Sequence, residues 1–199
     1  MGKYTRKKEL QVPTADDIQD AIDATPNSIT GCRNRALLTV LANSGLRVAE
    51  ALNLQMRDIN LRTGMVLVRK GKGTKRREVV LFDCDRYLGE WISAREGLDL
   101  PDTAPIFCAV RKGHRGERMS TQNVHQMLER LERDAALDIH LHAHGLRHYL
   151  ACRLARSGVP VEEIAAQLGH EEIQTTERYL DSLGSHVRLA SLAQRRLVA

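Results

Sequence analysis

No stretch of the 199-residue sequence approaches the length of an apolar membrane span, and the N-terminus, MGKYTRKKEL, lacks the apolar segment of a secretory signal. Its four cysteines, Cys32, Cys84, Cys108 and Cys152, stand apart with no CxxC pair. Thiols spaced this way read as small core residues in a reducing compartment, not as a disulfide framework. There is no P-loop. The Gly-Lys cluster from Gly71 to Lys75 lacks the GxxxxGK[ST] spacing and lies between two strand-like runs instead of ahead of a helix. Internal repeats and low-complexity tracts are also missing.

What is present fits one domain with an ordinary core: 42% of residues are hydrophobic and 28% charged. The net charge of +5 is modest, but residues 69–77 hold six Lys or Arg. Charge focused on a turn in this way is placed to meet a polyanion. Thr14 and Asp17 have the spacing of a capping box, predicting a helix to about Ala24. Ala36, Leu37, Val40 and Leu41 form a helical stripe that stops at Ser44 and Gly45, and a short helix is expected from Val48 to Leu54. The β-rich runs Met65–Arg69 and Glu78–Phe82 bracket the Gly-Lys-Gly turn as a hairpin. Further helices are predicted near 84–95, 121–135, 145–157, 161–168, 174–182 and 186–197, two of them with clear i, i+3, i+4, i+7 apolar faces. Pro160 would open the helix at 161–168 and Gly169 would end it. The fold class is therefore mainly α with a small antiparallel sheet.

Chemistry concentrates near the C-terminal end, in HGLRHYLACRLARSGVPVEEIAAQLGHEEIQTTERYLD. His144 and Arg147 lie one turn apart at the start of a helix, His170 follows Leu168 and Gly169, and Tyr179 comes soon after. Upstream stands Arg47, in SGLRVAEALNL. Planar guanidinium groups grip phosphate oxygens bidentately and stay charged, so Arg47 and Arg147 are the natural phosphate clamp. A tyrosine, with a reference pKa of about 10, needs nearby cations and a proton acceptor to attack, and His144 is the candidate acceptor. Each piece has a plainer explanation. Tyr179 could be an ordinary packed aromatic, His144 and Arg147 a solvated helix face, and Arg47 with Glu50 a surface ion pair. The alternation of His140, His142 and His144 offers a metal site as a rival, though no Cys or carboxylate at useful spacing completes it, and no metal is expected. His148 reads as a packing or supporting residue. The ordered set outweighs its parts.

From Thr14 to Asp181 that ordered set resembles the catalytic domain of the tyrosine recombinases, the phage-integrase family. The resemblance implies a DNA breaking-and-rejoining fold and a site-specific recombinase or integrase. A tyrosine would form a covalent 3′-phosphotyrosine, with neither metal, ATP nor any other cofactor. It implies Arg47 and Arg147 as phosphate arginines, Lys72 as the acid for the leaving oxygen, His144 and His170 as site histidines, and Tyr179 as nucleophile. Glu50 would support Arg47, while Arg69, Lys70, Lys75, Arg76 and Arg77 would contact DNA. The partners implied are a double-stranded target site, a homotetramer on DNA that is mainly monomeric when free, and accessory DNA-bending proteins. No membrane is implied, and the location is cytoplasmic, at the nucleoid. Residues 1–13 are expected as a basic lead-in, 14–183 as the catalytic domain and 184–199 as a helix for subunit exchange. The usual N-terminal core-binding domain would be missing, as in a piece of a longer protein or in the short members that invert promoter segments. Alternatives are a type IB topoisomerase-like nick-and-reseal enzyme, a non-cleaving DNA-binding accessory protein and, more remotely, a metal-dependent hydrolase.

Overall fold

The computed structural model describes residues 12–69 and 76–170. In chain order it contains α1 (Ala15–Asp23), α2 (Ile29–Ser44), α3 (Val48–Ala51), a 3-10 turn at Met56–Asp58, β1 (Ile59–Asn60), β2 (Met65–Val68) and β3 (Arg77–Val80). There follow α4 (Asp85–Glu96), α5 (Thr121–Asp134), α6 (Ala143–Arg156) and α7 (Val161–Leu168). The capping box forms as expected: the Thr14 hydroxyl accepts from the Asp17 N–H at 3.1 Å, and the Asp17 carboxylate accepts from the Thr14 N–H at 2.7 Å. Helix α2 is the spine. Ala36, Leu37, Leu38, Val40, Leu41 and Ala42 are all buried, because α2 packs against both α4 and α6. Trp91 on α4 is fully buried and donates its indole N–H to the Ile106 carbonyl at 3.0 Å, so its one polar atom is satisfied inside the core.

The sheet is antiparallel in the order β1-β2-β3, with Val66 opposite Val79 and Val68 opposite Arg77. Val66, Val68 and Val79 face the core, as the two-residue strand period requires. The expected hairpin is present, with a third strand, β1, of two residues, too short to carry an alternating pattern. The expected helix Val48–Leu54 is α3 alone. Beyond Ala51 the bonds tighten to i−3, Asn53 N–H to Glu50 O and Leu54 N–H to Ala51 O, and the Asn53 side chain bonds back to Ala49 O. Helix α6 begins two residues earlier than expected, because His142 caps it. The helices expected near 174–182 and 186–197 lie outside the described residues, as do Lys70, Lys72, Lys75 and Tyr179. Among the described residues no helix is long and apolar enough to cross a membrane.

Candidate active site

The site is organised by the C-terminal end of α7. Gly169 takes φ +67°, and the chain closes in a Schellman motif: Gly169 N–H donates to Ala166 O at 3.1 Å and His170 N–H to Ala165 O at 3.0 Å. Three arginines converge on the next two carbonyls. Arg147 donates to Leu168 O at 2.6 Å, Arg77 to the same oxygen at 3.4 Å, and Arg47 to Gly169 O at 3.2 Å. The negative end of the helix dipole faces these cations, which favours holding them there.

Arg147 is 5% exposed although it carries a full charge. Its guanidinium also donates to the carbonyl of Gly45, the left-handed residue (φ +68°) that ends α2 just before Arg47. One fork thus ties α6 to the ends of α2 and α7. Gly45 is needed for space as well as for its φ: a Cβ there would come within 2.5 Å of Leu168 Cδ2. Gln167 adds a second clasp. Its amide accepts from Val80 N–H at 3.1 Å and donates to Val80 O at 2.8 Å and Ser44 O at 2.9 Å, so α7, β3 and α2 share one side chain.

Arg47 lies at the N-cap of α3 with its side chain 46% exposed. Glu50, expected to support Arg47, accepts from the Arg47 N–H at 2.8 Å and from its guanidinium at 3.2 Å. The stronger partner of Glu50 is Arg77, which binds both carboxylate oxygens, at 2.8 and 2.9 Å. Burial opposes ionisation of Glu50. The hydrogen bonds from Arg77 and the Arg47 backbone, with both guanidinium charges, outweigh that and hold its carboxyl below the ordinary range.

Arg77 therefore differs from its expected place among the DNA contacts of the hairpin. Its side chain is 14% exposed and turned into the protein, because on β3 it shares the inward face with buried Val79. That alternation was visible in the sequence and would have separated Arg77 from its basic neighbours. Arg76 is exposed, and Arg69, 42% exposed, forms an ion pair with buried Asp58. Gln167 carried no sequence signal at all.

The histidines sit around the arginines. His144 faces His148 edge-on at 4.7 Å between ring centres. Burial, then the Arg147 charge, lowers the His144 pKa. Burial and the surrounding charges of Arg147, Arg47, His144 and Arg77 depress His170 to about 4, and His148, 2% exposed, is likewise depressed to about 4, first by burial. At neutral pH these imidazoles are therefore uncharged. The period-two histidines stack, with ring centres 5.4 Å apart for His140 and His142, but they take different hydrogen-bond partners. His140 pairs with Glu132 at 2.9 Å, a carboxylate eight residues upstream that sequence spacing did not suggest, while His142 Nδ1 accepts from Gly145 N–H at 3.1 Å and caps α6. The four cysteines are free, three of them buried, and the Cys84 thiol is pushed up to about 12, chiefly by burial.

This fold and site define a class. Residues 11–186 match the phage integrase family, and the chain belongs to that family. It is 34% identical over 195 residues to the tyrosine recombinase XerC of Pelobacter propionicus, covering 96% of this chain and 61% of that protein. The crystal structure of XerA recombinase superposes with a TM-score of 0.79 at 29% identity, over 94% of this chain and 65% of the other. That of XerH site-specific recombinase bound to its difH substrate, a pre-cleavage complex, superposes with a TM-score of 0.70 at 26% identity, over 90% and 52%. The chain has the catalytic-domain fold of tyrosine recombinases and spans about 60% of the length of the curated relatives it matches.

Proposed function

We propose that this chain cleaves and rejoins duplex DNA as a site-specific recombinase, through a covalent 3′-phosphotyrosine. The observation that carries this reading is the convergence of Arg47 and Arg147 on the adjacent carbonyls of Leu168 and Gly169, with neutral imidazoles around them. Two guanidinium groups fixed on separate elements are preorganised to take up the charge that builds on the non-bridging oxygens of a phosphodiester. Tyr179 attacks phosphorus, the new O–P bond replaces the bond to the 5′ oxygen, and the phenolic proton passes to His144. Lys72 protonates the departing 5′ oxygen. One phosphodiester is exchanged for another, so the bond energy is retained and a 5′ hydroxyl can reverse the step without ATP. Arg69, Lys70, Lys75 and Arg76 supply backbone contacts whose strength falls with salt. In the same reading four copies assemble around two duplexes through residues 184–199, aided by DNA-bending proteins.

The test uses duplexes selected from a randomised library by binding to the chain, then nicked beside the cleavage point, with EDTA present. A protease-sensitive covalent adduct is expected, and strand exchange between two duplexes separates recombination from simple nicking and resealing. Retention of DNA with no adduct would leave a binding protein and sink the reading.

A further inference from the structure

We propose that Arg77 is a positioning residue that sets the charge of the phosphate clamp; the inference rests on the recombinase reading above. Arg77 is turned into the protein, its side chain 14% exposed. Both of its terminal nitrogens lie on Glu50, one also reaching Leu168 O, and its guanidinium packs flat beneath Gly169, where a Cβ would come within 2.5 Å of Cζ. Its influence runs through Glu50.

Glu50 poses an electrostatic problem that Arg77 solves. The Glu50 side chain holds Arg47, capping its N–H and bracing its guanidinium, bonds that an amide oxygen can also accept. Yet a carboxylate bound to Arg47 cancels the charge that Arg47 must present to a phosphate. Arg47 and Glu50 alone are neutral as a pair; with Arg77 the trio carries one net positive charge. The geometry divides the work. Arg77 has the two shorter bonds to Glu50, at 2.8 and 2.9 Å, while Arg47 keeps the longer one, at 3.2 Å, and the greater exposure, 46% against 14%. Loss of the Arg77 charge would leave Glu50 to pull Arg47 into a closed pair and repel the incoming phosphate, weakening the clamp without removing any group that touches DNA.

The test is single-turnover adduct formation by the full chain on its library-selected duplex, nicked and carrying a 5′-bridging sulfur so that the adduct accumulates. Arg77→Gln should cleave roughly 10- to 100-fold more slowly than wild type, with DNA affinity changed less than about threefold. Adding Glu50→Gln to that variant should restore at least about tenfold, because the unpaired negative charge goes too; a residue that merely supports the fold would show no such rescue. Should Arg77→Gln fail to fold in thermal unfolding, the double variant alone decides: it is expected to fold and cleave within about tenfold of wild type. Unchanged cleavage by Arg77→Gln, or a double variant no better than the single one or unable to fold, overturns the inference. Absence of an adduct from wild type overturns the recombinase reading itself, an outcome distinct from the others.

Discussion

Replacing Arg147 with Met tests whether one side chain serves both the fold and the chemistry. Methionine fills much of the same space but donates no hydrogen bond. The carbonyl of buried Gly45 would lose the Arg147 donor, and among the described side chains Leu168 O would keep the longer 3.4 Å bond from Arg77. A buried acceptor left without its partner costs about 1–3 kcal/mol, and two acceptors, one partly compensated, set an expected loss of roughly 2–4 kcal/mol. Relief from burying a charge offsets part of this. For a domain with ordinary stability of about 5–15 kcal/mol the variant should fold but melt several degrees lower. Denaturant unfolding at neutral pH measures the loss. Adduct formation, assayed where both proteins are fully folded, should fall by a further factor of about 10²–10³. Arg147→Lys keeps the charge, but one ammonium cannot match the planar fork, so it should lie between the two. A stability loss under about 1 kcal/mol in Arg147→Met would refute the clasp, since it would mean that both carbonyls readily find other donors.

Tyr179→Phe should abolish the covalent adduct and spare DNA binding; an adduct that survives would move the nucleophile elsewhere, Tyr149 being next to examine. Gly169→Ala should destabilise by about 1–2 kcal/mol through its left-handed φ and, by pushing Arg77 aside, slow cleavage more than its stability loss explains. Native-like kinetics there would argue that Arg77 moves freely. Because His148 is depressed from 6.5 to about 4, it contributes stability that is fully present above pH 6.5 and is lost as pH falls toward 4. His148→Asn should therefore flatten that acid-side decline by about 1–3 kcal/mol in unfolding experiments between pH 7 and 4.5, and an unaltered slope would show that His148 is not held neutral.

Much of the frame was legible because local rules and tertiary packing agree. Thr14 and Asp17, Ser44 and Gly45, and Pro160 with Gly169 mark helix ends by side-chain and backbone preferences that the core does not override. His144, Arg147 and His170 were legible for the opposite reason: charged and titratable groups at helix starts and stops fit no apolar stripe. What stayed hidden depends on partners distant in sequence. Gln167 is an unremarkable helical residue until β3 and the end of α2 come beside it, and nothing near Arg147 in sequence announces the carbonyls of Gly45 and Leu168. Arg77 was misplaced by composition. Its basic neighbours suggested a solvated turn, whereas the strand period, carried by Val79, turns it inward.

A helix N-terminus is the usual backbone site for an anion, yet this centre is built on a helix C-terminus. In the proposed reading the reversal follows from what must be stored before DNA arrives. Three guanidinium groups crowded together repel one another, and in a partly buried site solvent relieves that poorly. Carbonyls at the end of α7 and the Glu50 carboxylate supply the compensating negative potential, and they do so directionally, so each fork is aimed as well as tolerated. Burial, with the same cations, depresses His170 to about 4, so that imidazole adds no further positive charge to the cluster at neutral pH. In the proposed reading, a phosphate would meet donors already oriented, and little of its binding energy would go into rearrangement. The αL turn at Gly169 makes this possible. Only a residue without a Cβ both ends α7 there and lets Arg77 pack close beneath it.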